Sequence, residues 1–260
     1  MAEAIVRRVA ALFDLAGRVA LVTGAGQHVG AGIARYLGAQ GAAVAVNDLV
    51  PERAEAGAAA IVEAGGRATA AVFDVTDLAA VRAGVAAVEA ALGPIDILVN
   101  NAGNAGAHRM VPTPFRDMDP ATWSQPIDVN LYGVLNCSHA VISGMCERRW
   151  GRVITIASGA GTVGLKLGVS TYAAGKGGSI AFMRHLAIEN AAFGVTANTL
   201  ALGLMQLPTE DGTAALARQI PVGRVGTPED IAAACVYLAS EEASWMTGQT
   251  IELNGGSVTT

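Results

Sequence analysis

The chain has 260 residues, of which 52% are hydrophobic and 15% charged, and a formal net charge of −5. That length and composition suit one large α/β domain or two small ones with a substantial core, and they exclude a disordered chain. The acidic balance, without any run of Lys or Arg, argues against a nucleic-acid surface.

The first sixteen residues carry Arg7 and Arg8 before a short apolar run, but also Glu3 and Asp14. This makes a poor signal peptide and is read as an N-terminal helical extension over residues 1–16. Arg18–Thr23 is an apolar run of the kind a buried parallel strand shows, and it enters the turn Gly24-Ala25-Gly26-Gln27-His28-Val29-Gly30. A helix follows to about Gln40. Ala43–Asn47 is a second strand, closed by Asp48, and Pro51 opens an alanine-rich helix. Thr69–Phe73 is a third strand ending at Asp74. Asp77–Leu92 is helical and is stopped by Gly93-Pro94, and Ile95–Val99 is a fourth strand running into Asn100-Asn101-Ala102-Gly103.

An irregular segment spans Asn104–Pro120. A helix from Trp123 or Ile127 to Arg149 then leads to the strand Arg152–Ala157, and the helix bearing Tyr172 runs to about Phe193. Val195–Leu200 is a strand, Leu204–Val222 an irregular or helical flap, and Pro228–Ser240 a helix with Thr227 as its N-cap. Thr250–Leu253 is the last strand. Strands alternate with helices almost throughout, which predicts a single Rossmann-like, doubly wound parallel sheet of about seven strands with helices on both faces, over residues 17–260. The polar residues Asn190, Thr196, Asn198, Thr199, Gln206 and Pro208 make the uncharged stretch 190–209 unfit for a bilayer, so no membrane segment is expected. Cys137, Cys146 and Cys235 lack metal-like spacing and read as reduced core residues of a cytoplasmic protein; no metal site is expected.

Two stretches carry chemistry. A strand, a glycine-rich turn and a helix in succession make a phosphate site, because absent side chains and free helix N–H groups admit a pyrophosphate. Gly24, Gly26 and Gly30 stand in that context, with Asp48 ending the second strand. A carboxylate there accepts from the adenosine ribose hydroxyls and repels a 2′-phosphate. The expected cofactor is therefore NAD rather than NADP, with Arg53 as the nearby cation. Asp74 is read either as an acceptor for the adenine amino group or as a helix cap. The second stretch is Ser158 through Tyr172 and Lys176. On a helix Tyr172 and Lys176 share a face. A phenol with a pKa near 10 is a poor acid or base at neutral pH until a neighbouring ammonium lowers that value. With Ser158 to hydrogen-bond a substrate oxygen, the trio is equipped for proton transfer to and from an alcohol or carbonyl.

With these residues placed, the chain resembles the short-chain dehydrogenase/reductase superfamily over about residues 15–256. Thr23-Gly24-x3-His28-x-Gly30 resembles its Thr-Gly-x3-Gly-x-Gly turn. Asn100-Asn101-Ala102-Gly103 matches its Asn-Asn-Ala-Gly element. Asn130, Ser158, Tyr172 and Lys176 fall where its catalytic tetrad falls, and Arg224–Ala232 and Thr247–Gly256 resemble its C-terminal signatures. The resemblance implies Tyr172 as general acid in reduction and general base in oxidation, Lys176 lowering its pKa and binding the nicotinamide ribose, Ser158 polarising the substrate oxygen and Asn130 holding a water of a proton relay. Read from the residues alone, Asn130 equally suits helix packing and Ser158 a strand-end cap. Cofactor contacts are implied at Gly24, Gly26, Gln27, His28, Val29, Gly30, Asp48, Leu49, Asp74, Val75, Asn101, Ala102, Gly103, Tyr172, Lys176 and Gly203. Two departures stand out: His28 takes the place of the turn's middle glycine, and Leu202 that of a proline before Gly203, with Thr209 displaced.

Three functions remain open. The first is an NAD-dependent dehydrogenase or reductase of a secondary alcohol and its ketone. Its apolar wall would be drawn from Met110, Phe115, Val163, Leu165, Leu167, Leu204, Met205 and Leu207, with His108, Arg109 and Lys166 near a polar substrate end. The second is a reductase of 3-oxoacyl thioesters on a carrier protein or CoA, for which Arg149 stands where a carrier-binding cation is found and Phe193 where a second is absent. The third is a nucleotide-bound sensor without catalysis. The family likeness further implies a homotetramer paired through long helices such as Asn130–Met145.

Overall fold

The computed structural model describes residues 12–103, 110–206 and 210–259. The N-terminal extension up to residue 11, His108 and Arg109, and Leu207 and Thr209 lie outside them. Seven strands form one all-parallel sheet in the order β3-β2-β1-β4-β5-β6-β7. They are β1 (Val19–Val22), β2 (Ala43–Asp48), β3 (Arg67–Val72), β4 (Ile97–Asn100), β5 (Gly151–Ser158), β6 (Val195–Leu202) and β7 (Thr250–Leu253). The order reverses between β1 and β4, which leaves a crevice outside their carboxyl ends.

The strand runs look uniformly apolar because both faces of the sheet are covered, yet alternate residues go to different cores. Ala20, Val22, Val44, Val46, Ile97 and Val99 face one core with α1 (His28–Ala39), α2 (Pro51–Glu63) and α7 (Pro228–Ala239). Val19, Leu21, Ala43, Ala45 and Leu98 face the other, with α3 (Leu78–Leu92), α4 (Gly133–Glu147) and α5 (Ser170–Asn190). Between β6 and α7 lies α6 (Glu210–Ala217), within the expected flap.

The helix limits follow from local chemistry. Pro51 sits at the start of α2, where its missing N–H costs nothing. Asp77 caps α3 by accepting from Ala79 and Ala80, and Gly93, at φ 107°, ends it. The backbone N–H of Thr227 donates to Asp230 Oδ2 at 2.9 Å, closing the capping box of α7.

Beyond shifts of one to three residues at other element ends, two differences from expectation bear on the site. β6 continues through Leu202, in register with Ser158 and Leu253, where a proline would have no N–H to offer a ladder. The expected long helix before β5 is a short turn, Ser124–Ile127, then a π-helical segment, Asp128–Tyr132, and only then α4. The Gly133 N–H reaches back to the Asp128 carbonyl. The side-chain amide of Asn130 takes the Pro126 carbonyl at 2.8 Å, the acceptor an α-helix reserves for a backbone N–H. Among the described residues no helix is long and apolar enough to cross a membrane, and no group of His, Cys, Asp and Glu is arranged to hold a metal ion.

Candidate active site

The crevice is built from its two edge turns. Thr23 follows β1 and directs its hydroxyl at the turn after β4, accepting the N–H groups of Asn101 at 3.0 Å and Ala102 at 3.1 Å. Asn101 answers with its side-chain amide, donating to the carbonyls of Thr23 and Gly24, both at 2.9 Å. The amide of Asn101 is thus spent on bracing the glycine-rich turn. Gly30 stands where a Cβ would run into the Gly24 carbonyl and lie 2.5 Å from Asn101 Nδ2. The glycines of this turn are therefore required first by close approach within the protein.

The sequence reading missed Asn47. It is buried at the end of β2, accepts from Gly24 N at 3.3 Å, and donates to the carbonyls of Ala71 at 2.9 Å and Phe73 at 3.1 Å. A lone asparagine ending an apolar strand was the available signal. Next to it, Asp48 accepts from Gly26 N at 3.2 Å and from Val50 N at 3.0 Å, while Leu49 is exposed. Asp74 Oδ1 takes both the N–H and the hydroxyl of Thr76 at 2.8 Å. It does not cap α3, since Asp77 does. The Val75 carbonyl accepts from Asn136 at 2.9 Å. Gln27 and His28 are exposed at the start of α1, and His28 holds φ at 48°, the left-handed conformation that a glycine takes without strain. Val29 packs against the core. Gly203 donates to the Leu253 carbonyl at 2.9 Å beyond the end of β6.

The helix carrying Tyr172 and Lys176 starts just past the carboxyl end of β5, where Ser158 stands. Tyr172 is buried, with its phenol near enough to the Ser158 hydroxyl for that group to favour the phenolate. Ser158 Oγ accepts from Ala160 N at 3.2 Å, so the strand-end cap and the tyrosine contact coexist. Lys176 lies one turn on, with Nζ 5.8 Å from the tyrosine ring centroid, and donates to the Ile156 carbonyl at 2.6 Å. Burial lowers the Lys176 pKa to about 8. Burial also raises the phenol above its ordinary value, and the Ser158 hydroxyl offsets this only in part. The net direction is opposite to the lowering expected from Lys176, because desolvation outweighs the neighbouring groups.

Asn130 completes the group. It is fully buried, and its Oδ1 has no hydrogen-bond partner. A Cβ on Gly103 would lie 2.8 Å from that oxygen and 3.1 Å from Lys176 Nζ, so the amide oxygen and the ammonium border one small space. A phenol, a hydroxyl, an ammonium and an amide oxygen thus converge at the carboxyl edge of β4 and β5, beside the turn after β1. The set can deliver a proton to a substrate oxygen and take one back.

The residues also suit a dinucleotide. The first turn of α1 has no side-chain cap and no acidic residue, leaving its N–H groups available to an anion. The orphaned Asn130 oxygen and the bare Gly103 backbone leave room and an acceptor at the far end of the crevice.

Comparisons with known proteins identify the family. A family model described as enoyl-(acyl carrier protein) reductase matches residues 24–258. The chain belongs to the short-chain dehydrogenase/reductase family. It is accordingly an oxidoreductase of hydroxyl and keto groups. Acetoacetyl-CoA reductase of Shinella zoogloeoides is 40% identical over 251 residues, covering 92% of this chain and 98% of that protein. The 3-oxoacyl-(acyl-carrier-protein) reductase FabG of Vibrio harveyi is 39% identical over 249 residues, covering 94% and 98%. The solved gluconate 5-dehydrogenase of Burkholderia cenocepacia, in complex with NADP and tartrate, superposes with a TM-score of 0.86 at 34% identity, covering 94% of this chain and 96% of its own.

Proposed function

We propose that this chain reduces the keto group of a 3-oxoacyl thioester to the hydroxyl, with Tyr172 as the proton donor. The supporting observation is the buried Tyr172 phenol beside Ser158, with the Lys176 ammonium and the unpaired Asn130 oxygen bordering one space, in a chain 40% identical to an acetoacetyl-CoA reductase. The names of the two curated relatives favour this reading over a general secondary-alcohol dehydrogenase.

When bound, the nicotinamide supplies the hydride. Ser158 would orient and polarise the keto oxygen, and Tyr172 would protonate that oxygen as charge develops on it. Burial keeps the phenol protonated at neutral pH, the form that reduction needs. Lys176, charged below about pH 8, would stabilise the phenolate left behind, and its ammonium would hold the nicotinamide ribose. The unpaired Asn130 oxygen beside that ammonium would seat a water returning the proton from solvent. Gly24, Gly26 and Gly30 would admit the pyrophosphate, with Gln27, His28, Val29, Leu49, Asp74, Val75, Ala102, Gly103 and Gly203 along the rest of the dinucleotide.

The carboxylate of Asp48 argues for NADH over NADPH, although the gluconate 5-dehydrogenase was solved with NADP. Arg149, considered above as a carrier-binding cation, precedes β5, whereas Ser158 ends it. At about 3.3 Å per strand residue the two lie roughly 25 Å apart, so within one copy of the chain Arg149 does not reach the crevice. Three free cysteines suit a reducing cytoplasm, and exposed Tyr132 and Ile188 suit helix pairing in a homotetramer.

The second reading, a polyol or secondary-alcohol dehydrogenase, is favoured by the likeness to gluconate 5-dehydrogenase. Absorbance at 340 nm separates the two, using 3-oxoacyl-CoA esters with NADH or NADPH in one series and gluconate or secondary alcohols with NAD or NADP in the other. Thioester turnover at least tenfold above the alcohols is expected, and alcohol oxidation without thioester reduction would overturn the proposal. Nucleotide binding without turnover of either series would favour the sensor.

A further inference from the structure

The crevice has two ends, and different segments hold them. At one end α1 opens from the phosphate turn. At the other, Leu202 is the ladder partner of Ser158, so Gly203 leaves β6 about 5 Å from the strand that bears this hydroxyl. The stretch Gly203–Gln206 therefore starts beside the reactive groups, and backbone bonds fasten it. Gly203 N donates to the Leu253 carbonyl at 2.9 Å. Gly226 N donates to the Leu204 carbonyl at 3.0 Å and Gln206 N to the Gly226 carbonyl at 2.9 Å, which makes a parallel bridge of Met205 with Gly226.

Gly226 is gripped in turn from both sides. Before it, Arg224 lays a fork on Asp230, with Nη1 donating to Oδ2 at 2.6 Å and Nη2 to Oδ1 at 2.8 Å. After it, Thr227 donates its N–H to Oδ2 at 2.9 Å and its hydroxyl at 3.3 Å. Asp230 stands in the first turn of α7, and α7 is packed on α1. Ile231 and Cys235 share a core with Ile33 and Leu37, and a Cβ on Gly32 would lie 2.6 Å from Pro228 Cβ. The helix that opens at the phosphate turn is thus linked, through α7, Asp230 and Gly226, to the stretch beside Ser158. The Thr227 bonds suffice to cap α7, so the Arg224 fork is additional to the cap. With 56% of one side chain and 36% of the other exposed, the fork adds little to stability. Two parallel bonds fix a direction instead.

We infer that Arg224 and Asp230 are positioning residues for the nicotinamide end of the dinucleotide. The inference rests on the dinucleotide reading above. A hydride donor has to stand beside Tyr172 and Ser158, whereas the pyrophosphate is to be held at the start of α1. The spacing between α1 and Gly203–Gln206 decides whether one nucleotide satisfies both ends, and the clasp sets that spacing. A ligand without the nicotinamide is held at the phosphate end alone and is indifferent to the clasp.

The test is calorimetric titration of the full chain, as parent, Arg224→Met, Arg224→Lys and Asp230→Asn. The ligands are the reduced nucleotide that the parent binds tighter, NADH or NADPH, and the matching ADP-ribose or 2′-phospho-ADP-ribose. In Arg224→Met the affinity for the reduced nucleotide is expected to fall about threefold to tenfold, with the ADP-ribose affinity within about twofold of the parent's. Arg224→Lys should fall between, because an ammonium makes a point contact where the guanidinium makes a fork. On whichever substrate the parent turns over, kcat should fall about 10- to 100-fold in Arg224→Met, as for a misplaced reacting atom. Melting temperatures close to the parent's show that the variants fold. Should Asp230→Asn unfold through loss of the cap, the two Arg224 variants, which leave the Thr227 bonds intact, decide the matter. Equal losses for both ligands overturn the inference, since the clasp then serves the phosphate end or the fold. Unchanged nucleotide affinity and kcat overturn it as well. A parent that binds neither ligand removes the dinucleotide reading together with the clasp.

Discussion

The carboxylate of Asp48 closes the phosphate turn through Gly26, whose backbone N–H it accepts at 3.2 Å. A second oxygen accepts from Val50 N at 3.0 Å, so the group expected to select the cofactor also holds the turn in shape. Asp48→Ala is therefore expected to act twice. It should lower stability by about 1–3 kcal/mol, the usual cost of leaving buried donors unpaired, and it should raise the NADP-to-NAD ratio of kcat/KM. Urea unfolding reads the first effect and steady-state kinetics the second. An unchanged cofactor ratio would remove Asp48 from selectivity while leaving its structural role.

Tyr172→Phe deletes the transferable proton and leaves the ring in place. Turnover should fall by a factor of about 10²–10⁴, with NADH affinity nearly intact by fluorescence titration. Because burial raises the phenol, the loss of reductive activity caused by its ionisation should begin only above the ordinary phenol range near pH 10. Turnover of the variant close to the parent's would exclude Tyr172 as the proton donor.

Lys176 carries a pH-dependent penalty. Its pKa is about 8 when folded, against an ordinary 10.5, so between those values the unfolded chain binds more protons and stability rises with pH. Below pH 8 the full penalty is present. Lys176→Met should abolish turnover yet raise stability at pH 7 by about 1–3 kcal/mol, less the lost bond to Ile156. The gain should shrink as pH climbs from 8 towards 10.5. Thermal melts across that range measure it, and a gain independent of pH would refute the buried charge.

Away from the crevice, at the amino edge of the sheet, Glu241 gathers three donors. Trp150 Nε1 reaches it at 2.5 Å, Arg18 at 3.0 Å and the fully buried Arg152 at 3.5 Å, while both guanidinium groups lie over the Trp150 ring. Glu241→Ala leaves Arg152 buried without its carboxylate. Since Glu241 itself is well exposed, the expected loss is moderated to about 1–3 kcal/mol, with kcat unaffected. A melting temperature equal to the parent's would show the cluster to be idle.

His28 sits in a left-handed backbone conformation at the start of α1. His28→Gly relieves a strain of about 1–2 kcal/mol but frees the unfolded chain, for a net gain near 0.5 kcal/mol. Loss of stability instead would mean that the imidazole makes a contact worth more than the strain.

Much of this was legible in the residues. The seven apolar runs were read as strands in the right order along the chain, because burial on both faces removes polar residues from them. The phosphate turn, the Asn100–Gly103 element and the Tyr172/Lys176 spacing are local patterns, and local patterns survive in sequence. The helix of Asn130 was read as continuous. Its π-helical turn depends on a side-chain amide outcompeting the backbone for the Pro126 carbonyl, which no periodicity records.

By itself the sequence determined the alternation of elements, the family, and the identity of the groups at the crevice. Only the tertiary structure decided their state: that the side-chain oxygen of Asn130 is left unpaired, that Asn101 braces rather than reaches outward, that Arg149 stands at the opposite edge, and that the phenol is raised rather than lowered. Burial, close approach and desolvation arise between segments distant along the chain, and they take values only once the sheet has brought those segments together.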